Sequence, residues 1–241
     1  MKKILIGEKG RKFLVKGSEF HSNHGRVEIV EGAETATSHL GHRFSVLSPD
    51  IIDIYEKMPR SGSYMLKKDI AMILGMLGVG CGAVVVDAGT GSAALAIFLG
   101  NIVGPAGHVY SYDLRPESIA IARGNIESAG LTDVVSACEG NVLDGFSKET
   151  GSVDFLTLDL SEAWEALEDG KRILKRGGRI AVYNPYIEHA RLVNNCLVEL
   201  GFMEIKTLES SNREIEFRAQ GTRPKTSRVG HSGYLTFARK V

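Results

Sequence analysis

The fold is decided by the stretch Val84-Val85-Val86-Asp87-Ala88-Gly89-Thr90-Gly91-Ser92, in which a β-branched run leads into two closely spaced glycines. Such a run predicts a strand that is buried on both faces of a parallel sheet. The glycines allow a tight turn and a close approach of the backbone to a ligand. Because a helix pattern opens at Ser92, the stretch predicts the strand-loop-helix start of an α/β domain.

A second predicted strand, residues 108–112, leads to Asp113 about 20 residues further along the chain. A carboxylate at this place can accept hydrogen bonds from both hydroxyls of a ribose, as in proteins that bind nucleoside cofactors. The loop spacing G-x-G-S, instead of G-x-G-x-x-G, favours S-adenosylmethionine over a dinucleotide, with the methionine carboxylate at the helix N-terminus. The alternative is a strand-loop-helix without a ligand, which Asp113 disfavours.

Net charge gives no sign of a nucleic-acid partner, since the 241 residues carry 29 Lys+Arg and 29 Asp+Glu. The distribution says more, because residues 211–241 contain seven Lys or Arg against two Glu. A solvated face explains such a run equally well. No apolar stretch is long enough for a membrane span and no signal-peptide pattern opens the chain, so a cytoplasmic protein is expected.

The cysteines and histidines give little indication of a metal. Cys81, Cys138 and Cys196 are widely spaced, as expected for free thiols in a reducing compartment. Two H-x-x-H pairs, His21/His24 and His39/His42, lie in glycine-rich sequence without a cysteine or acid at ligand spacing. We therefore predict no metal site.

The pattern of apolar and polar residues changes near residue 60. Residues 1–60 alternate short apolar runs with glycine and charged turns, which predicts a small β-barrel-like domain followed by a short helix, 51–57, as a link. Residues 61–241 alternate strands and helices, which predicts a doubly wound α/β sheet. A terminal antiparallel strand pair, joined by a long polar loop over 210–231, is typical of class I methyltransferases. The predicted elements of this domain are a first helix 69–77, strands 84–88, 108–113, 134–138, 153–159, 179–184, 202–209 and 232–239, and helices 92–101, 117–128, 163–174 and 187–199.

Ligands of such sheets bind at the carboxyl ends of the strands. The predicted strands end in Gly89 to Ser92, Asp113, Asn141, Asp159 and Tyr183. Asn141 is expected to read the adenine edge and Asp159 to orient the methyl acceptor. Trp164 is expected either in the core or in the acceptor pocket, and Gly177-Gly178 is interpreted as a helix stop.

Several motifs together resemble the tRNA (adenine-58-N1) methyltransferase family of archaea and bacteria, over essentially the whole chain. The most specific motif is the tail, Arg223-Pro224 followed by residues 230–240, GHSGYLTFARK. The other matching segments are Phe20–Gly25, Thr37-Ser38, Gly41-His42, Met58–Arg60, Lys68-Asp69, Asp87–Ser92, Val103–Pro105, Val109–Tyr112, Asp159-Leu160 with Trp164, and Tyr183–Pro185.

The resemblance implies a class I, Rossmann-like enzyme that transfers a methyl group from S-adenosylmethionine to N1 of adenine 58 in the T-loop of tRNA. It also implies a homotetramer and, for archaeal members, action on the preceding adenosine. Asp159 and Tyr183 are the catalytic candidates. Arg223, Lys225, Arg228 and His231 are candidates for tRNA binding, to which the N-terminal domain would add Lys9, Arg11 and Lys12. The implied cofactor contacts are Gly89, Gly91, Ser92, Ala93, Ala94, Leu95, Asp113, Ser118, Asn141 and Asp159.

The sequence departs from the family pattern at several site positions. Ala93 stands where the family usually has Gly, and is expected to add only a methyl group. Asn141 replaces an Asp, Asp113 stands where Glu is commoner, and Leu66 replaces a Tyr of the target-base pocket. The family segment also differs at Ser63, Lys67, Ser161 and Ala163. Two alternatives therefore stay open: a non-catalytic or weakly active tRNA-binding subunit, and a methyltransferase for a protein or small molecule.

Overall fold

The computed structural model describes residues 2–62, 64–226 and 230–241, and does not describe the side chain of Lys9. Ser63 and Arg228, both named above, lie outside the described residues. The chain divides into two compact units, Met1–Pro59 and Arg60–Val241. No helix among the described residues is long and apolar enough to cross a membrane.

The first unit is built of strands. Its four-stranded sheet has the order β2-β1-β6-β5, and a separate hairpin pairs β3 with β4. Helix α1 begins after the cap Asp50, and Lys12 donates hydrogen bonds to Asp53 and Glu56 of this helix, at 2.7 and 3.3 Å. The helix that was expected to be a link therefore belongs to the first unit. The elements are β1 (Lys2–Ile6), β2 (Lys12–Lys16), β3 (Glu19–Ser22), β4 (Gly25–Glu28), β5 (Thr35–Thr37), β6 (Arg43–Leu47) and α1 (Ile51–Lys57).

The core of this unit follows from the two-residue period of its strands. In β6, for example, Phe44 and Val46 are buried while Arg43, Ser45 and Leu47 are exposed. Alternate residues of a strand point to opposite faces, so one face is covered and the other solvated. The buried cluster consists of Leu5, Val15, Val27, Ile29, Ala36, Phe44 and Val46, with Phe13 and Phe20 packed against it.

The second unit is a seven-stranded sheet of order β12-β15-β11-β10-β7-β8-β9, with helices between the strands along the chain. Strands β11, β10, β7, β8 and β9 pair in parallel, while β15 runs antiparallel to both β11 and β12. The strands are β7 (Val84–Ala88), β8 (His108–Asp113), β9 (Val135–Glu139), β10 (Val153–Leu158), β11 (Leu174–Asn184), β12 (Met203–Glu209), β13 (Ile215–Arg218), β14 (Gly221–Pro224) and β15 (Tyr234–Arg239). The helices are α2 (Lys67–Leu77), α3 (Ala94–Val103), α4 (Pro116–Ala129), α5 (Leu167–Ile173) and α6 (Ile187–Glu199).

The predicted fold class, a Rossmann-like methyltransferase sheet with a terminal antiparallel pair, is confirmed. Val85 and Val86 of the central strand β7 are fully buried, as expected for a strand with helices on both sides. Because the strands β7, β8, β10 and β11 run in the same direction, their carboxyl ends meet at one edge of the sheet. This edge brings the predicted site residues of the four strands together.

The helix that precedes β11 was predicted nearly correctly, whereas the two glycines of this strand were not. The predicted helix 163–174 is a 3-10 turn, Ala163–Ala166, followed by the short helix α5, so that only Leu174 differs. The interpretation of Gly177-Gly178 as a helix stop was wrong. The glycines Gly177-Gly178 lie inside β11, in a bulge where the register against β10 shifts. A Cβ on Gly178 would stand 2.9 Å from the carbonyl oxygen of Lys175, so the bulge requires a glycine.

The predicted polar loop over 210–231 was also wrong, because it contains the hairpin of β13 and β14. The pattern Ile215-Glu216-Phe217-Arg218 alternates apolar and charged residues, as a strand does. Gly221 has a φ of +140° at the start of the returning strand. This short alternation was missed because the surrounding sequence is polar, and none of the residues of the hairpin is buried.

Candidate active site

The glycine loop after β7 is shaped by three residues with positive φ, namely Gly89 at +94°, Gly91 at +50° and Ala93 at +63°. A Cβ on Gly89 would stand 2.2 Å from the carbonyl oxygen of Asp159, so this close approach requires glycine. The N–H groups of Gly89 and Thr90 both donate to the carbonyl of Tyr112, at 2.8 and 2.9 Å. These bonds fasten the loop to the end of β8, where Asp113 follows.

Ala93 corrects the expectation that it adds only a methyl group. It is fully buried and left-handed, and it precedes α3, which begins at Ala94 and not at Ser92. A left-handed conformation places Cβ against the following carbonyl and costs about 1–2 kcal/mol for a non-glycine residue. Replacing the family's glycine by alanine therefore adds backbone strain as well as a methyl group. A hydrogen bond from the Ala93 N–H to the Thr90 carbonyl, at 2.7 Å, holds this backbone conformation.

Asp113 is the acid after β8 and is only 7% exposed. Its Oδ2 accepts a hydrogen bond from the Gly91 N–H at 2.8 Å, and its Oδ1 accepts from the Arg115 N–H at 3.0 Å. A carboxylate has about four acceptor sites, so it retains capacity for the hydroxyls of a ribose. Asp113 therefore joins the loop and a candidate ribose site.

Asp87 occupies the centre of the sheet edge and is 3% exposed. It accepts hydrogen bonds from the hydroxyls of Ser111, at 2.5 Å, and Thr157, at 2.6 Å. Burial raises the pKa of Asp87, and the two hydroxyls partly offset this effect. The residue thus ties β8 and β10 to β7 through their side chains.

Asp159 follows β10 and lines two adjacent clefts. One cleft is narrow and is lined by the glycine loop, residues 89–92, together with Asp87, Ala94 and Leu95. The other has a volume of about 280 Å³ and is lined by Tyr183, Pro185 and Ser232. Burial, and then the neighbouring Asp87 carboxylate, raise the pKa of Asp159 to about 7. The residue therefore lies between the glycine-loop cleft and the cleft beside Tyr183.

Tyr183 is positioned by the tail of the chain. Its hydroxyl donates a hydrogen bond to the Ser232 carbonyl, and a Cβ on Gly233 would stand 2.5 Å from its ring. Burial, followed by the Asp159 and Asp69 carboxylates, raises the pKa of Tyr183 to about 12. The phenol therefore stays protonated and acts as a hydrogen-bond donor.

Lys68 connects the same tail to the start of α2. Its ammonium donates to Asp69 Oδ1 at 2.7 Å, to the Ser210 carbonyl at 2.7 Å and to Ser232 Oγ at 2.5 Å. Ser210 and Ser232 stand at the two ends of the segment that carries the β13–β14 hairpin. Lys68 therefore holds the two ends of this segment together.

The other predicted cofactor contacts differ in where they lie. Ser92 lines the narrow cleft, and its Oγ accepts from the Ser61 N–H at 2.8 Å. Asn141 instead caps the turn that follows β9, because its Oδ1 accepts from the Leu143 N–H at 3.1 Å. Ser118 is fully buried in α4, and its hydroxyl has no hydrogen-bond partner within the described residues. Four of the predicted contacts are not among the described residues that line the two clefts, namely Ala93, Asp113, Ser118 and Asn141.

The candidates for tRNA binding are also distributed unevenly. Arg223 is exposed on β14, whereas Lys225 makes an ion pair with Glu214 at 2.9 Å. His231 is held between Glu209, at 2.7 Å, and the Pro185 carbonyl, at 2.9 Å. In the first unit Lys12 is engaged with Asp53, so it is not a free cation for a phosphate.

Sequence reasoning missed Tyr64 and Met65, which line both clefts. Tyr64 lies two positions before Leu66, the residue that replaces the family tyrosine, and the Arg60 guanidinium lies 3.7 Å from the centre of its ring. The available signal was an aromatic residue close to the position at which the family has one.

The residues of the narrow cleft fit S-adenosylmethionine. Asp87 and Asp159 line this cleft, as suits a cationic sulfonium, and Asp113 adjoins it through its hydrogen bond from the Gly91 N–H, as suits a ribose. Among the described residues, a Cβ on Gly91 would meet the Ser61 hydroxyl, at 3.8 Å, and the Gly89 carbonyl, at 4.0 Å, so the backbone there has room for a ligand.

Comparison with known proteins supports this interpretation. The family model described as the tRNA methyltransferase complex GCD14 subunit matches residues 56–223. The tRNA (adenine(57)-N(1)/adenine(58)-N(1))-methyltransferase TrmI of Methanocaldococcus jannaschii is 37% identical, over 98% of this chain and 94% of that protein. The tRNA (adenine(58)-N(1))-methyltransferase TrmI of Thermus thermophilus is 32% identical, over 98% of this chain and 96% of that protein.

Solved structures show the same fold. An S-adenosylmethionine-dependent O-methyltransferase from Thermotoga maritima gives a TM-score of 0.88 at 29% identity, covering all of this chain and 92% of that one. The tRNA (m1A58) methyltransferase TrmI from Aquifex aeolicus gives 0.82 at 22% identity, covering all of this chain and 97% of that one. The resemblance drawn from the motifs is confirmed, and the chain belongs to the GCD14 family of tRNA methyltransferase subunits.

Proposed function

We propose that this protein transfers a methyl group from S-adenosylmethionine to N1 of adenine 58 in the T-loop of tRNA, with adenine 57 as an additional target. The observation that carries the proposal is the position of Asp159, which lines both the glycine-loop cleft and the cleft beside Tyr183. A carboxylate between the two clefts can contact a donor on one side and an acceptor on the other. The relatives from Methanocaldococcus jannaschii and Thermus thermophilus, named for these adenines, support the choice of acceptor.

The chain's own residues would hold the donor in the narrow cleft. Asp113, beside this cleft, would accept from the ribose hydroxyls, and the open backbone at Gly91, with Ser92, Ala94 and Leu95, would border the rest of the ligand. When bound, S-adenosylmethionine supplies an electrophilic methyl group on a cationic sulfonium. The carboxylates of Asp87 and Asp159 would stabilise positive charge in this cleft, because burial strengthens their electrostatic interactions.

Asp159 orients the acceptor. N1 of adenine is a lone-pair nucleophile on the Watson–Crick edge, so the base must leave its stack before it can enter the second cleft. The nucleophile needs no strong base, but positive charge grows on the ring as the new bond forms. A carboxylate that accepts the N6 amino hydrogen holds the ring in line and becomes a stronger partner as that charge grows. Tyr183 donates its hydrogen bond to Ser232 and forms the wall against which the base would pack.

The proposal includes a homotetramer that acts on tRNA in the cytoplasm. The tetramer and the compartment rest on the resemblance to the family. The exposed hairpin of β13 and β14, which presents Phe217 at 83% exposure, is a surface on which a second copy could pack.

The test is methylation of an unmodified tRNA transcript with labelled S-adenosylmethionine, followed by nucleoside analysis. We expect 1-methyladenosine at position 58, and at 57 in transcripts with adenine there. Replacing Asp159 with Ala should lower turnover by about a hundredfold or more, with tRNA binding nearly unchanged, and Asn should give an intermediate rate. Transfer at the wild-type rate by the Ala variant would show that Asp159 has no part in the chemistry.

The same assay separates the alternatives. A tRNA-binding subunit without catalysis predicts tRNA binding but no transfer by the wild type. A different acceptor predicts transfer to peptide or a small-molecule hydroxyl in place of tRNA, and the Thermotoga maritima structure, described as an O-methyltransferase, makes hydroxyl acceptors a useful comparison.

A further inference from the structure

The first unit contains a pocket of its own, with a volume of about 470 Å³, which is in the usual range for small-ligand sites. It is separate from the chemistry described above, because all its described lining residues belong to the unit Met1–Pro59. The lining residues are Gly7, Glu8, Arg11, Phe13, His24, His42, Arg43 and Phe44.

The wall of the pocket is aromatic. The rings of His24 and His42 lie edge to face with centroids 4.9 Å apart. The His24 ring also contacts the rings of Phe13 and Phe44, at centroid distances of 6.0 and 6.4 Å. Because Phe44 is buried and the two histidines are partly exposed, an entering planar ring would meet the histidines first.

The histidines are placed there by the fold and not by their spacing in the sequence. A Cβ on Gly25 would stand 2.8 Å from the ring of His39, and this ring accepts a hydrogen bond from the Arg26 N–H at 2.8 Å. These contacts hold the β3–β4 hairpin against the segment before β6. As a result, the second histidine of each H-x-x-H pair meets the other, and within the described residues no group of three potential metal ligands forms.

Charge at the pocket comes from two arginines and one acid. Arg11 Nη1 donates a hydrogen bond to His24 Nε2 at 2.9 Å, so the other N–H groups of Arg11 can bind a ligand. Arg43, at the start of β6, is exposed on the pocket. Guanidinium groups bind phosphate through paired N–H donors, and the Glu8 carboxylate can accept hydrogen bonds from an exocyclic amino group of a base.

We infer that this pocket binds one unpaired nucleotide of RNA, with its phosphate on Arg11 and Arg43 and its base against His24 and His42. Specific RNA recognition commonly uses unstacked bases held against aromatic side chains, and base stacking of this kind tolerates any of the four bases. The inference deepens the proposed tRNA function, since it gives the N-terminal unit a part in binding the substrate.

The first experiment measures the pocket directly and does not depend on methyl transfer. Histidine ring signals of the full-length protein are recorded by NMR, and those of His24 and His42 are assigned with the single variants His24→Gln and His42→Gln. Adenosine 5′-monophosphate should shift both signals, and adenosine without phosphate should shift them much less at equal concentration. If neither signal moves with the nucleotide while the protein is folded, the pocket does not bind nucleotides and the inference is wrong.

The second experiment asks whether tRNA uses the pocket. The double variant Arg11→Ala/Arg43→Ala should bind tRNA at least about tenfold more weakly. The slope of its logarithmic affinity against logarithmic salt concentration should decrease by the amount expected for about one phosphate contact. The matched control is Lys16→Ala/Arg26→Ala, which removes two cations from the same unit that are not among the described lining residues. We expect the control to bind nearly as the wild type does, and S-adenosylmethionine binding to be unchanged in both.

The outcomes distinguish this inference from the proposed function. If both double variants bind and methylate tRNA equally well, the pocket is not used and the proposed function stands. If the wild type binds tRNA through Arg11 and Arg43 but transfers no methyl group, the pocket stands and the proposed reaction fails.

Discussion

The carbonyl oxygen of Asp159 lies 2.2 Å from the point that a Cβ on Gly89 would occupy. The backbone of Asp159 therefore occupies the space that a side chain at position 89 would need. The loop after β7 and the residue after β10 leave no room for even one methyl group between them. In addition, the Asp159 N–H donates to the Ala88 carbonyl at 2.8 Å. These two contacts set the distance between the candidate cofactor loop and the candidate catalytic carboxylate.

Replacing Ala93 with Gly should stabilise the protein. The position has a φ of +63°, so glycine removes a conformational cost of about 1–2 kcal/mol in the folded state. Glycine also loses more backbone entropy on folding, which offsets part of this gain. We expect the free energy of unfolding to rise by about 0.5–1 kcal/mol in urea denaturation. The matched control is Ala94→Gly in the first turn of α3, which should lower it by up to about 1 kcal/mol. Equal destabilisation by both variants would contradict the left-handed assignment.

Replacing Asp113 with Ala should weaken S-adenosylmethionine binding by about tenfold or more, because a charge-assisted hydrogen bond contributes about 1.5–3 kcal/mol. The substitution also leaves the Gly91 N–H without its acceptor, because in the wild type this group donates a hydrogen bond to Asp113 at 2.8 Å. Calorimetry measures the affinity, and Asp133→Ala, which removes an exposed carboxylate before β9, should leave it unchanged. Equal affinities of the Asp113 variant and the wild type would exclude the ribose role.

Activity should depend on the protonation of Asp159. Its pKa is raised to about 7 by burial and by Asp87, so the fraction of carboxylate increases as pH rises through this value. We therefore expect kcat/KM, which reports groups of the free enzyme, to fall below about pH 7 in the wild type. Asp159→Asn cannot titrate and should show a lower and flatter profile over the same range. A profile in the Asn variant that matches the wild type in shape would assign the titration to another group.

Replacing Gly233 with Ala should displace Tyr183. The new Cβ would stand 2.5 Å from the ring, and overpacking of this kind costs about 1–3 kcal/mol of stability. Turnover should fall together with stability, because Tyr183 forms a wall of the second cleft. Gly230→Ala is the control, since a Cβ there meets none of the described residues within 4 Å. If the two variants have the same melting temperature and turnover, the contact has no role.

Charge reversal on the hairpin segment should reduce tRNA affinity without changing cofactor affinity. Arg223→Glu should weaken binding and lower the salt slope by about 1. Lys225→Glu should have a smaller effect, because Lys225 is already paired with Glu214 at 2.9 Å. Arg176→Glu, an exposed change at the amino end of β11, is the control in filter-binding assays. An unchanged salt slope in the Arg223 variant would place the tRNA elsewhere.

Much of the fold could be predicted from local sequence. The run Val84–Val86 with its glycines indicated a buried strand and a turn, and the structure has β7 at Val84–Ala88. The predicted bounds 108–113 and 187–199 agree with β8 and α6. These elements have strong periodic patterns, and hydrophobic period alone is sufficient to define them.

Other elements were decided by partners that are distant in the chain. The strand β11 was predicted to begin at residue 179, but it begins at Leu174, which pairs with Val153, and it continues through the two glycines. None of the residues of the β13–β14 hairpin is buried, so the short alternation over 215–218 was not recognised as a strand. In both cases the pairing of strands overrode local propensity.

The sequence by itself determined the chemistry at the strand ends, because a parallel sheet brings the carboxyl ends of its strands to one edge wherever the intervening helices lie. It therefore placed Asp87, Asp113 and Asp159 together. Only the tertiary structure decided how each residue is held: the left-handed backbone of Ala93, the turn-capping side chain of Asn141, and the meeting of His24 with His42. These features depend on close contacts between segments far apart in sequence, and no local pattern encodes such contacts.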